Sequence, residues 1–155
     1  MASLLVIGGS GFFGKSFLDS FQRGLLRPWS IDKVLILSRH ATDLLTSHPE
    51  LLSGAIELID VDITTVDFLP FADYVVHAAA STDASRYLSH NEEEKKNIIM
   101  GILNYCQLAT RFHKDSMIVF TSSGAVYGYQ PEYVKYLTED MAFGDIENLD
   151  EVKKS

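Results

Sequence analysis

The chain has a single cysteine, Cys106, and only four prolines in 155 residues. A lone cysteine cannot close a disulfide within the chain, and it has no partners at metal-ligand spacing, so a disulfide scaffold and a cysteine-held metal are both excluded. Set inside a helical pattern, Cys106 reads as core packing. Basic charge is scarce too. Thirteen Lys and Arg stand against 21 Asp and Glu, for a net charge of -8. That balance argues against nucleic-acid or anionic-membrane binding, where a basic patch supplies the affinity. No stretch approaches the roughly twenty apolar residues of a membrane helix. The apolar start is too short and glycine-broken for a signal peptide, whose apolar core runs about 7–15 residues. A cytoplasmic protein is the expectation, with no metal, no internal repeat and no low-complexity segment. What the chain does have is 46% hydrophobic residues, enough at this length for one domain with a sizeable core.

The apolar run Ser3-Leu4-Leu5-Val6-Ile7 stops at Gly8-Gly9-Ser10-Gly11-Phe12-Phe13-Gly14. Glycine leaves no side chain in the way, so a strand can turn sharply into a helix here and bring backbone N–H groups to a pyrophosphate at the positive helix end. The phosphates are expected beside Gly11 to Phe13. The spacing fits G-x-G-x-x-G as Gly9, Gly11, Gly14 and G-x-x-G-x-x-G as Gly8, Gly11, Gly14, and so does not choose between nucleotide-binding families. Context strengthens the motif, because a strand pattern precedes it and Lys15 to Phe21 follows with apolar residues at helical spacing.

Four further apolar runs follow: Lys33 to Ser38, Ala55 to Ile59, Tyr74 to His77 and Met117 to Thr121. Short continuous runs mark strands buried on both faces, which predicts a parallel sheet in an α/β, doubly wound fold. Between the last two, residues 92–112 carry Ile98, Ile99, Ile102, Leu103, Cys106 and Ala109 at offsets of three, four and seven, the pattern of an amphipathic helix. Its start, Glu92 to Lys96, reads as a solvated charged face with its acids toward the positive helix end. From Tyr129 the pattern decays. Gln130-Pro131 breaks any continuing element, and only weak helical periodicity returns near Glu147 to Lys154.

Taken in order, the glycine turn, Asp62-Ile63 after the third strand, His77-Ala78-Ala79-Ala80 at the fourth and Thr121-Ser122-Ser123-Gly124-Ala125-Val126-Tyr127-Gly128 at the fifth resemble the extended short-chain dehydrogenase/reductases. This is the group of NAD(P)-dependent sugar epimerases and dehydratases. The resemblance implies a Rossmann-type sheet in which Gly8, Gly11 and Gly14, with Phe12 and Phe13, meet the pyrophosphate, and Asp62 with Ile63 contacts the adenine ring. A carboxylate can accept from the adenine amine and an isoleucine can cover one face of the ring. Asp62 reads equally as a helix N-cap before Ile63-Thr64-Thr65, and the two roles are compatible. Ala78, Ala79 and Ala80 match the small residues lining the cofactor where it crosses the sheet edge. His77, one step earlier, reads as a packed strand histidine.

The residue after the second strand sorts NAD from NADP, because the adenosine ribose lies against it. It is Arg39, flanked by Ser38 and His40, and an Arg there suits a 2′-phosphate, which favours NADP over NAD. Ser123, four residues before Tyr127, holds the place of the family's Ser or Thr that hydrogen-bonds the reacting sugar oxygen, and is the candidate catalytic residue. The expected substrate is a nucleotide-sugar or a related carbonyl compound, and the full-length enzyme could form a homodimer.

Three departures narrow the resemblance. The family's catalytic Tyr, with Lys four residues later, is absent: Tyr127, Tyr129, Tyr133 and Tyr136 all lack a Lys at that offset. The expectation is therefore that residues 1–155 are the N-terminal cofactor-binding portion of a roughly twice longer enzyme, without its sugar-binding segment and inactive alone. Where family dehydratases carry proton-transferring acids, this chain has Gly124 and Ala125, so epimerisation or carbonyl reduction fits better than 4,6-dehydration. Finally, the family's Asn three residues before a helix glycine is here Ile98, with Asn97 four before Gly101, and no site role passes to Asn97. The competing class is a non-enzymatic NAD(P)-binding or sensing module, since a fold alone does not fix a function.

Overall fold

The computed structural model describes residues 1–80, 91–128 and 132–144. Five parallel strands form one sheet: β1 (Ala2–Ile7), β2 (Ile31–Ser38), β3 (Ile56–Asp60), β4 (Tyr74–His77) and β5 (Met117–Phe120), in the order β3-β2-β1-β4-β5. After β1 the chain steps outward to β2 and β3, then returns past β1 to β4 and β5. The direction therefore reverses beside β1, and this is the doubly wound, Rossmann-type arrangement. Helices α1 (Phe12–Gln22), α2 (Leu44–Ser47) and α3 (Asn91–Phe112) lie among these strands. Strand ends fall within two residues of those read from the sequence. No helix among the described residues is long and apolar enough to cross a membrane.

Successive side chains of a strand point to opposite faces, and β1 divides its residues accordingly. Leu4 and Val6 join Leu18 of α1, Val34, Ile36 and Leu44 of α2 in one core. Leu5 and Ile7 join Leu35, Leu37, Val75, Tyr105 and Leu108 in the other, beneath α3. Both faces of the central strands are thus buried, which is why their sequence runs are continuously apolar. At the N-terminal edge the Asp73 carboxylate accepts from the Ser3 N–H at 2.7 Å and the Ser3 hydroxyl at 3.1 Å, tying the start of β1 to that of β4.

Three expectations are corrected. β5 is exposed at all four residues: among the described residues it is the sheet's last strand, paired on one side only, with β4. Cys106 is exposed rather than packed, because α3 turns Tyr105 and Leu108 into the core and Cys106 outward with Ile99 and Leu103. The charged start of α3 is not wholly solvated, since Glu94 is only 5% exposed.

Residues 1–120 form one compact unit and 121–155 a second. In the second, the one-turn helix Gly124–Tyr127 is followed by a return in which the Gly144 N–H donates to Val126 O at 2.9 Å and the Tyr127 and Phe143 rings lie 5.9 Å apart. The weak periodicity near Glu147 to Lys154 and the Gln130-Pro131 break lie outside the described residues.

Candidate functional site

β1 ends in a turn that three other segments press upon. Gly8 has φ +83°, a left-handed conformation, and a Cβ there would come within 2.7 Å of Ala78 O and the Ala79 backbone. Its N–H and that of Gly9 donate to Leu37 O at 2.8 and 3.2 Å, and the Ala78 N–H donates to Ile7 O at 2.8 Å. The turn is therefore fastened to the ends of both neighbouring strands. A Cβ on Gly14 would sit 1.8 Å from Gly9 O, so α1 backs directly onto the turn. Gly11, the N-cap of α1, carries no side-chain cap, and a Cβ there would meet only Gly8 O at 3.3 Å. Its surroundings are otherwise open, as a backbone meant to receive a ligand requires. Both glycine patterns are thus used: Gly8 and Gly9 shape the turn, Gly11 opens it, and Gly14 seats the helix.

Beyond the C-terminal strand ends lies a groove of about 590 Å³ at the topological switch point, where such sheets bind ligands. Gly8, Gly11, Phe12 and Phe13 line it from the turn and α1, Arg39 from the end of β2, Asp62 and Ile63 from the segment after β3, and Ala78, Ala79 and Ala80 from the end of β4. The structure brings these ten sequence-predicted residues together across 72 positions of chain. Gly14 supports the turn from behind. Ser123 belongs to the second unit, where it is exposed and its carbonyl accepts from the Val126 N–H at 3.1 Å. Phe12 and Phe13 are 77% and 50% exposed at the groove wall, their rings in an edge-on pair 5.6 Å apart.

The groove's adenosine side, as the sequence places it, is polar. The Ser38 hydroxyl donates to Ser10 Oγ at 2.9 Å, linking the end of β2 to the glycine turn. Asp60, last residue of β3, accepts from the Thr42 N–H at 2.9 Å and from the Thr42 hydroxyl, which fixes the chain just beyond Arg39 and His40. Asp62 Oδ1 accepts from both the N–H and the hydroxyl of Thr64 at 2.8 Å. Desolvation opposes ionisation of Asp62, but the two Thr64 hydrogen bonds and the charge of Arg39 outweigh it and hold the carboxyl below its ordinary range. The group is an anion at neutral pH. It caps a turn, where the sequence suggested the N-cap of a helix, because residues 63–65 form only a single turn; the same residue lines the groove.

His77 is 1% exposed and stacks among rings, with Tyr105 4.9 Å and Phe120 5.0 Å away, so it is a packed strand residue as expected. One whole wall of the groove went unassigned in the sequence, that of Glu94, Asn97 and Ile98 from α3. Their offsets of three and four put them on one helix face, but the surrounding charges hid that face. Among the described residues no group of His, Cys, Asp or Glu could hold a metal ion.

The family model for the NAD dependent epimerase/dehydratase family matches residues 4–148. The chain belongs to this family. One curated relative, a putative UDP-glucose 4-epimerase of Methanocaldococcus jannaschii, is 24% identical over 136 residues, covering 84% of this chain and 41% of the relative. The chain thus spans less than half the length of that protein. Among solved structures, UDP-glucose 4-epimerase from Bifidobacterium longum in complex with NAD+ and UDP superposes with a TM-score of 0.67 at 19% identity, covering 92% of this chain and 42% of that one. DesIV, a dTDP-glucose 4,6-dehydratase from Streptomyces venezuelae with NAD bound, reaches 0.71 at 22% identity, covering 92% and 45%. At such identities these structures establish the family's fold for this chain.

Proposed function

We propose that this chain is the NAD(P)-binding part of a sugar-nucleotide epimerase or carbonyl reductase that works by hydride transfer. The observation that carries the proposal is the convergence of the glycine turn, Arg39, Asp62-Ile63 and Ala78 to Ala80 on one groove at the sheet's switch point. The fit is steric as well as chemical: Gly11 is open where a pyrophosphate would approach, and the helix end behind it favours an anion. Gly8, Gly11, Phe12 and Phe13 would hold the pyrophosphate, with Gly14 seating the helix behind them. Asp62 and Ile63 would hold the adenine, and Ala78, Ala79 and Ala80 would leave room for the dinucleotide at the sheet edge. The cofactor, when bound, supplies the hydride acceptor or donor.

Ser123 would donate a hydrogen bond to the substrate oxygen at the carbon that exchanges hydride, polarising it. The flanking Gly124 carries no acid, which favours epimerisation or reduction over dehydration. A Tyr and Lys four residues apart do not occur in the 155 residues, so this chain by itself is proposed to bind cofactor without turning substrate over. That same absence supports the second reading, a non-enzymatic NAD(P)-binding or sensing module. Detectable oxidation or reduction of cofactor with a nucleotide-sugar by the chain alone would overturn the first of these statements.

Arg39 favours NADP. It is exposed on the groove wall beside Ser38 and His40, where a guanidinium can meet a 2′-phosphate. The test is a fluorescence titration of the chain with NADPH and NADH, alongside Arg39→Ala. NADPH should bind more tightly, and the substitution should weaken it by roughly tenfold, as for one lost charge-assisted hydrogen bond, while sparing NADH. Equal affinities unaffected by the substitution would refute the NADP preference. Binding of neither cofactor would refute the dinucleotide site.

A further inference from the structure

Asn104 lies six residues beyond Ile98, where the groove-lining stretch of α3 ends, yet its side chain reaches the segment that carries Asp62 and Ile63. Its Nδ2 donates to Ile63 O at 2.9 Å and to Val66 O at 2.7 Å, across 41 and 38 residues of sequence. A primary amide has two N–H donors, and here each goes to a different carbonyl of the same short segment.

Around that bond the segment is wound on itself. Asp62 O accepts from the N–H groups of Thr65 at 3.1 Å and Val66 at 2.9 Å, while Asp62 Oδ1 accepts from Thr64. One helical turn before Asn104, Gly101 is buried, and a Cβ there would stand 3.2 Å from Ile63 Cγ2. The helix therefore touches Ile63 from the side at Gly101 and binds its carbonyl at Asn104. Asn104 itself is not among the residues that line the groove.

We infer that Asn104 is a positioning residue for the adenine end of the bound dinucleotide, acting by fixing the backbone of Ile63 to Val66 so that Asp62 and Ile63 face the groove in one geometry. The inference rests on the proposed cofactor site. Without the amide, two half-buried carbonyls lose their donors, and the Asp62 turn keeps only its own internal hydrogen bonds. It would then sample several positions, and a ligand would have to order it on binding.

The test compares the chain with Asn104→Ala for binding of 5′-AMP and of NADH by calorimetry, at a temperature where circular dichroism shows both proteins folded. AMP, which carries only the adenosine end, and NADH should each bind about tenfold more weakly to the variant, the effect of one net hydrogen bond. A residue with a purely structural role would lower the melting temperature and leave the AMP affinity of the folded protein unchanged. That result would overturn the inference while leaving the cofactor site intact. Should the alanine variant fail to fold, Asn104→Ser, which keeps one donor on a shorter stem, is read in the same way. An unsubstituted chain that binds neither AMP nor NADH would overturn the cofactor reading and this inference together.

Discussion

Gly11 and Gly14 stand three residues apart, and the structure makes opposite demands of them. At Gly14 any Cβ would overlap the Gly9 backbone, so Gly14→Ala must displace α1 and should destabilise the chain by several kcal/mol, about 3 or more. At Gly11 the backbone is unstrained and a Cβ would meet only Gly8 O, at 3.3 Å, a tight contact that a small shift relieves, so Gly11→Ala should cost far less stability than Gly14→Ala while weakening dinucleotide binding. Thermal melts and cofactor titrations on the two variants check this directly; equal loss of stability in both would contradict it. His77 supplies a pH dependence. Burial holds its imidazole below the usual 6.5, partly opposed by a backbone hydrogen bond. The unfolded chain protonates at its ordinary value and the native one resists, so the contribution is complete above pH 6.5 and is lost as pH falls through the depressed native value. Urea midpoints should therefore drop between about pH 7.5 and about pH 5.5, and drop less in His77→Phe. Asp73, held low chiefly by the Ser3 N–H, contributes in a lower window, lost only as pH falls below 3.8 toward its native value. At this scale the sequence was legible where backbone geometry dictates residue type, as at the glycines and the three alanines. It was not legible at Glu94 or Cys106, because a helix period gives the spacing of a face but not its rotation against the sheet.

Among the elements, β5 and α3 show where pattern and burial part company. An apolar run of four reads the same whether one or both faces are covered, and β5 leaves Met117 66% and Val119 54% exposed. On the outer side of α3, Ile99, Met100 and Leu103 are exposed too. Open apolar surface on a strand edge that has no partner among the described residues favours self-association. Light scattering at high concentration should detect species larger than a monomer, and a clean monomer would count against this. In the middle of the sheet, the starts of β1 and β4 are joined by the Ser3–Asp73 clasp. Ser3→Ala removes the hydroxyl's hydrogen bond to the carboxylate and the one it accepts from the Asp73 N–H, and should lower unfolding free energy by about 1–2 kcal/mol, measurable in urea. The crossovers were legible in outline because β1, β2 and β4 are buried on both sides and their sequences show it. The links from Asn104 to Ile63 and from Asp60 to Thr42 were not, since a side chain's long-range partner leaves no period in the sequence.

For the molecule as a whole, the place of the groove follows from strand order. Reversal of direction beside β1 sends the helices that follow β1 and β4 to opposite faces of the sheet, and the groove opens between them; the side chains then decide what it accepts. Glycines admit a backbone-bound anion, Asp62 and Ile63 offer one acceptor and one apolar face, and Arg39 adds a positive charge to an otherwise acidic chain. The fold class was readable from the order of apolar runs and glycines. The meeting of ten named residues on one groove needed the folded chain, because they lie on four separate segments. The most direct test is to map NADPH onto the 15N-labelled chain by its amide spectrum. Saturable shifts should concentrate at Gly8 to Phe13, Asp62, Ile63 and Ala78 to Ala80. Absence of saturation, or shifts centred instead on the smaller concavity near Phe21, Gly54 and Ala55, would contradict the assignment of the dinucleotide to this groove.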